Sequence, residues 1–211
     1  MLKNYSETSP LVHELFPVET KQIEVSFTGD DISSDGGLLL LREADKQIGL
    51  IDRISSCITD NRDQRYVDHT ISEMLTQRVT QIAAGYEDCN DCNDLRDDMI
   101  FKICAGRLPQ TGHSLASQPT MSRLENSVGS SDLYRIGQEL MNIFVESYDR
   151  EPEVIILDCD DTNNNTYGQQ ELNLYNHYYR DHCYMPLHIY EGLSGKLITT
   201  ILKPGRRSKQ S

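Results

Sequence analysis

At 211 residues, 37% hydrophobic and 25% charged, the chain is long enough for one large domain or two small ones and has the composition of a globular protein. Its formal net charge of -13 argues against non-specific attraction of the whole chain to nucleic acid or to anionic membrane. No apolar run is long enough to span a bilayer and Met1 to Thr8 lacks a signal-peptide core, so the expected location is cytoplasmic and the six cysteines read as reduced thiols.

Residues 1–23 mix Ser, Pro, Glu and Lys without a period and read as a tail or an edge segment. From Ile23 the run Ile-Glu-Val-Ser-Phe alternates like a short strand, Thr28 to Gly37 is turn-forming, and Leu38 to Leu50 has helical spacing with Gly49 near its end. From about 67 to 148 the pattern is helical. Thr70 to Glu73 has the form of a capping box, and Ile71, Met74, Leu75, Val79, Ile82 and Ala83 recur at helical spacing until Gly85. A second helix is expected from Asp91 to Ala105, with Leu95, Met99, Ile103 and Cys104 inward. A third starts near Ser117-Gln-Pro-Thr120, where Pro119 suits the first turn, and a fourth spans roughly Ser131 to Tyr148 with Leu133, Ile136, Leu140, Ile143 and Phe144 on one stripe. Glu151-Pro152 closes this region.

Val154-Ile-Ile-Leu-Asp158-Cys-Asp160-Asp-Thr162 then runs four apolar residues into three carboxylates. Such a run reads as a strand buried on both faces, with Asp158 and Asp160 on one side where it leaves the core and Asp161 on the other. Two same-face carboxylates repel unless a cation lies between them or one keeps its proton, which marks the pair as the strongest candidate site. A turn-rich segment, Asn163 to Gly168, and a polar, aromatic one, Gln169 to Tyr179, follow. Tyr184 to Tyr190 and Leu197 to Leu202, joined by a Gly-containing loop, form a hairpin.

Each candidate has a plainer reading beside it. Cys89-x-x-Cys92 is half of a zinc site whose other half is missing, and the acidic run Glu87 to Asp98 lacks the Gly and Glu that a calcium loop requires. His177, His182 and Cys183 could ligate a metal, though histidines between tyrosines in a β region are usually packing or edge residues. Ser117, Gln118, Thr120 and Arg123 could meet DNA as the start of a recognition helix in a helix-turn-helix, or could be ordinary helix-start residues. For Asp158 and Asp160 the plain alternative is a polar strand end. Asp158-x-Asp160-x-Thr162 also matches the nucleophile motif of haloacid-dehalogenase-type phosphatases, which continue into parallel strands with crossover helices. The hairpin that follows suits instead an RNase H-like sheet, whose first strand carries a metal-binding Asp.

Ser34-Asp-Gly-Gly-Leu-Leu-Leu-Leu-Arg-Glu-Ala-Asp45, Gly85-Tyr-Glu-Asp88, Leu115-Ala-Ser-Gln-Pro-Thr120, Ser122-Arg-Leu-Glu-Asn126, Leu157-Asp-Cys-Asp160 and Tyr184-Met-Pro-Leu187 together resemble the DDE transposases of bacterial insertion sequences, of the insertion-sequence-1380 type, over residues 24–205. The resemblance implies an α+β chain: a helical N-terminal region that handles transposon-end DNA, over 24–150, and the first three strands of an RNase H-like catalytic sheet, over 151–211. It also implies two Asp and one Glu holding two divalent ions, Mg2+ or Mn2+, that activate water and then a 3'-hydroxyl for attack on phosphodiesters. Asp160 is similar to the first catalytic, metal-binding Asp, with Asp158 as the fallback. The family's second Asp and Glu lie further downstream than Ser211. The expectation is therefore an N-terminal fragment with an incomplete sheet, inactive alone, whose partners are DNA at terminal inverted repeats and a second copy or an intact transposase, with no membrane association.

Overall fold

The computed structural model describes residues 12–26, 35–168 and 172–205, and the chain divides into two compact units, 1–129 and 130–211. In the first unit β1 (Val12–Val18) and β2 (Lys21–Ser26) form an antiparallel hairpin, followed by α1 (Leu38–Ile48), α2 (Leu50–Cys57), α3 (Ile71–Ala83), α4 (Asp91–Leu95), α5 (Met99–Cys104) and α6 (Gln118–Ser127). In the second, α7 (Ser130–Glu146) precedes β3 (Leu157–Asp161), β4 (Asn164–Asn165), β5 (Leu174–Asn176), β6 (Asp181–Tyr184), β7 (Leu187–Glu191) and β8 (Leu197–Ile201). Two three-stranded antiparallel sheets result, ordered β3-β7-β8 and β4-β6-β5. The chain is thus α+β, and α7 belongs with the strands, so the units divide ahead of the boundary expected at Pro152.

Several elements differ from the sequence reading for identifiable reasons. Residues 12–18, read as tail or edge, form a strand: Phe16 and Val18 bury themselves with Leu38, Leu39, Phe101, Cys104 and Leu115, and the ladder slips its register between Glu14 and Pro17, where Pro17 has no amide to donate. The helix expected to run to Leu50 stops at Gly49, whose φ of 71° ends α1 and starts α2. Arg42 and Asp45 brace this joint: the guanidinium donates to Cys104 O at 3.0 Å and pairs with Asp45, which accepts the Ile51 amide at 2.9 Å. The single helix expected over 91–105 is two short ones, because Asp98 turns its carboxylate back to accept the Ile100 and Phe101 amides and starts α5 afresh. The 28–37 turn prediction falls mostly outside the described residues.

In α3 the capping box is half made. Thr70 Oγ1 accepts the Glu73 amide at 3.1 Å, but the Glu73 carboxylate pairs with Arg107, which also donates to Ser114 O and Asp68 O. The buried face of α3 is polar rather than the apolar stripe expected. Met74 is inward with Thr76, Gln77, Thr80 and Gln81, whereas Val79 and Ile82 are exposed. The Gln77 side chain copies a backbone ladder, donating to Ala116 O at 2.9 Å and accepting from Ala116 N at 3.0 Å, and the Cys92 thiol donates to Gln81 Oε1 at 3.1 Å. The cysteines are free thiols, and burial pushes Cys92 up to about 11 and Cys104 up to about 12, so neither is a ready nucleophile.

Candidate functional site

The acidic strand is β3. It pairs in unbroken antiparallel register with β7, Asp158 opposite Tyr190 and Asp160 opposite His188, so Asp158 and Asp160 share one face and Asp161 takes the other, where it pairs with Lys203. Thr199 donates from β8 to Gly137 O of α7 at 3.1 Å; it lies opposite Ile189, on the Asp161 side of the sheet. α7 therefore covers the face away from Asp158 and Asp160. Across the open face a row runs Asp160, His188, Thr200, with His188 Nδ1 3.0 Å from Thr200 Oγ1.

The expectation of a strand buried on both faces fails. Regular pairing starts at Leu157, and Val154 to Leu157 keep between 47% and 62% of their surface exposed. β3 is an edge whose one ladder partner among the described residues is β7, and α7 packs on β8 instead. Because Asp158 and Asp160 both stand in water, their mutual repulsion is screened and costs far less than the buried pair inferred from the sequence. What holds the entrance of β3 is Glu191, 2% exposed, which accepts amides from Ile156 at 3.3 Å, Leu193 at 3.2 Å and Ser194 at 2.7 Å. The Ser194 hydroxyl and amide first, then the Leu193 and Ile156 amides, bring its carboxyl down to about 2.

Two hard carboxylates on one strand suit a divalent cation that keeps most of its waters. They do not complete a site: among the described residues no group of three or more His, Cys, Asp or Glu is placed to hold a metal. The phosphatase alternative requires parallel strands with crossover helices, whereas β3 pairs antiparallel with β7 in a three-stranded sheet, so the arrangement does not support it.

The four residues put forward as a DNA reader lie on or beside α6. Ser117 precedes its first turn without capping it, its hydroxyl 3.3 Å from Thr120 Oγ1, and the Gln118 amide is taken by Asn93 Oδ1 at 3.0 Å. Residues 105–117 separate α5 from α6, too long a connection for the short turn of a helix-turn-helix. The structure brings Thr120 and Arg123 instead to one wall of a groove of about 520 Å³, floored by Met74 and Leu124 and faced by the 59–69 loop with Arg62 and Tyr66. That loop went unnoticed in the sequence, although it carries Asp-x-Arg twice. Asp60 accepts two guanidinium bonds from Arg62 at 2.7 Å each, and Asp63 does the same for Arg65 at 3.0 and 2.6 Å, so each Arg is held by its own turn. These guanidinium partners hold both carboxyls below the usual range. His69, also on the groove, is held low by burial first and by Arg107, against the pull of Glu73.

A helical unit followed by small antiparallel sheets with an exposed acidic edge strand defines a mixed α+β class, and no helix among the described residues is long and apolar enough to cross a membrane. Residues 15–211 match the model of a family described as transposase DDE domain group 1, and the chain belongs to that family. No curated protein and no solved structure matches it.

Proposed function

We propose that the chain serves DNA transposition of an insertion-sequence element of the 1380 type, with Asp160 as the first catalytic carboxylate and Asp158 as its neighbour or substitute. The observation that carries this is the family match over residues 15–211, and the exposed carboxylate pair on β3 supports it. In this reading β3, β7 and β8 are the opening strands of an RNase H-like sheet, the ion is Mg2+ or Mn2+ bound by oxygen ligands, and the DNA is a terminal inverted repeat held in part by Ser117, Gln118, Thr120 and Arg123. A second copy or another transposase chain is the expected protein partner. The carboxylates supply negative oxygen ligands beside the DNA.

Iron-generated hydroxyl radicals test the assignment without needing turnover. With Fe2+ in place of Mg2+, ascorbate and peroxide should cut the backbone within β3 and β7, Mg2+ should protect it, and Asp160→Asn should abolish the cut while Asp158→Asn weakens it. Uniform cutting, or cutting unchanged in both variants, overturns the site. In parallel, duplex carrying the element's terminal inverted repeat should bind better than a scrambled duplex at moderate salt; equal binding removes the assigned DNA target.

A further inference from the structure

We infer that the groove between α6 and the 59–69 loop is a single-strand site that takes an unstacked nucleotide of bound DNA, its base against Tyr66 and the apolar floor and its phosphate on Arg123. The inference rests on the DNA reading above and changes how α6 meets the nucleic acid.

A recognition helix must protrude to enter a major groove. α6 forms one wall of a recess instead, with Met121 and Leu124 buried beneath it. A volume of about 520 Å³ lies within the range of small-ligand clefts and excludes a duplex. Its chemistry is that of a nucleotide. Met74 and Leu124 supply an apolar base, and Tyr66, 80% exposed, offers a broad ring on the rim, with the Arg65 guanidinium 5.7 Å from its centre. Such an aromatic surface stacks any base. Charge singles out Arg123: Arg62 and Arg65 are occupied by Asp60 and Asp63, while Arg123, exposed, donates to Thr120 Oγ1 at 3.0 Å and has no ion-pair partner among the described residues. Asp68 on the same lining cancels that one cation, so stacking, not bulk attraction, must carry the contact, in keeping with a chain of net charge -13.

The test uses the full chain and two fluorescein-labelled probes, a short oligothymidylate and the terminal-repeat duplex, read by anisotropy. The oligothymidylate should bind, Tyr66→Ala and Arg123→Gln should each weaken it by roughly fivefold or more, and Tyr66→Phe should restore binding, because the ring rather than the hydroxyl does the stacking. Duplex affinity should change less than twofold in Tyr66→Ala. If both probes bind and neither variant weakens the oligothymidylate, the groove assignment is overturned while the DNA reading stands. If Tyr66→Ala weakens both probes alike, the groove is a duplex contact and the single-strand site is overturned. If neither probe binds, both fail.

Discussion

Gln77 has no exposed surface, yet its side-chain amide is matched atom for atom by the backbone of Ala116. Burying such a group is favourable only because both of its polar ends find partners; removing it strands an N–H and a C=O in the interior. Gln77→Leu, which keeps the volume, should therefore lower unfolding free energy by about 2–4 kcal/mol, seen as a lower urea midpoint at unchanged slope. A shift below about 0.5 kcal/mol would mean that Ala116 finds water instead. Glu191 makes the complementary case for a charge. Its folded pKa of about 2 lies below the ordinary value of 4.5, so its contribution is fully present above pH 4.5 and is lost as pH falls through about 2. Glu191→Gln should accordingly destabilise the protein at pH 7 and flatten the acid limb between those two values; parallel acid profiles for variant and parent would refute this clamp on the entrance to β3. Neither residue was visible as structural in the sequence, since periodicity weighs apolar positions and takes a Gln or Glu for a solvated one. The acidic pair was visible, because two carboxylates two residues apart on a strand share a face whatever surrounds them.

At the scale of elements, legibility followed the strength of the local pattern. α3 and α7 and the β7–β8 hairpin lie close to where helical spacing and alternation put them, and α6 begins beside its Pro119. β4, β5 and β6 were missed because strands of two to four residues carry too few side chains to show a period; the ladder and the close approach of the 203–205 segment hold them together. Gly205 is central there. A Cβ on it would collide with the carbonyl oxygens of Cys183 and Leu174, and its own carbonyl accepts from Asn176 Nδ2 at 2.6 Å. Gly205→Ala should detach that segment, lose amide protection in β5 and β6, and leave the first unit's protection unchanged. Gly49 is needed for a different reason. Space for a Cβ exists, the nearest atom being Arg53 Cδ at 3.9 Å, so the cost of Gly49→Ala is conformational: about 1–2 kcal/mol for the left-handed φ of 71°. Gly49→Asn, which tolerates that region, should cost less, and the reverse order would show that packing rather than backbone decides.

The whole molecule joins two compact units, each with buried side chains of its own: Met74, Phe101, Leu115 and Met121 in the first, Phe144, Cys183, Met185 and Ile198 in the second. The partners of Gln77 all lie in the first and those of Glu191 all in the second. Substitutions without shared partners act independently, so the two variants should mark the units separately under hydrogen exchange. Gln77→Leu should raise exchange across α3, α5 and the 113–117 segment while β3, β7 and β8 keep their protection at pH 7. Glu191→Gln should open Ile156 and the 191–195 turn first and leave α3 untouched. In the double variant the losses should add within about 0.5 kcal/mol. A single opening that exposes helices and sheet together in either variant would show one cooperative body, and would tie the carboxylates of β3 to the groove on α6 through global stability rather than through separate local frames.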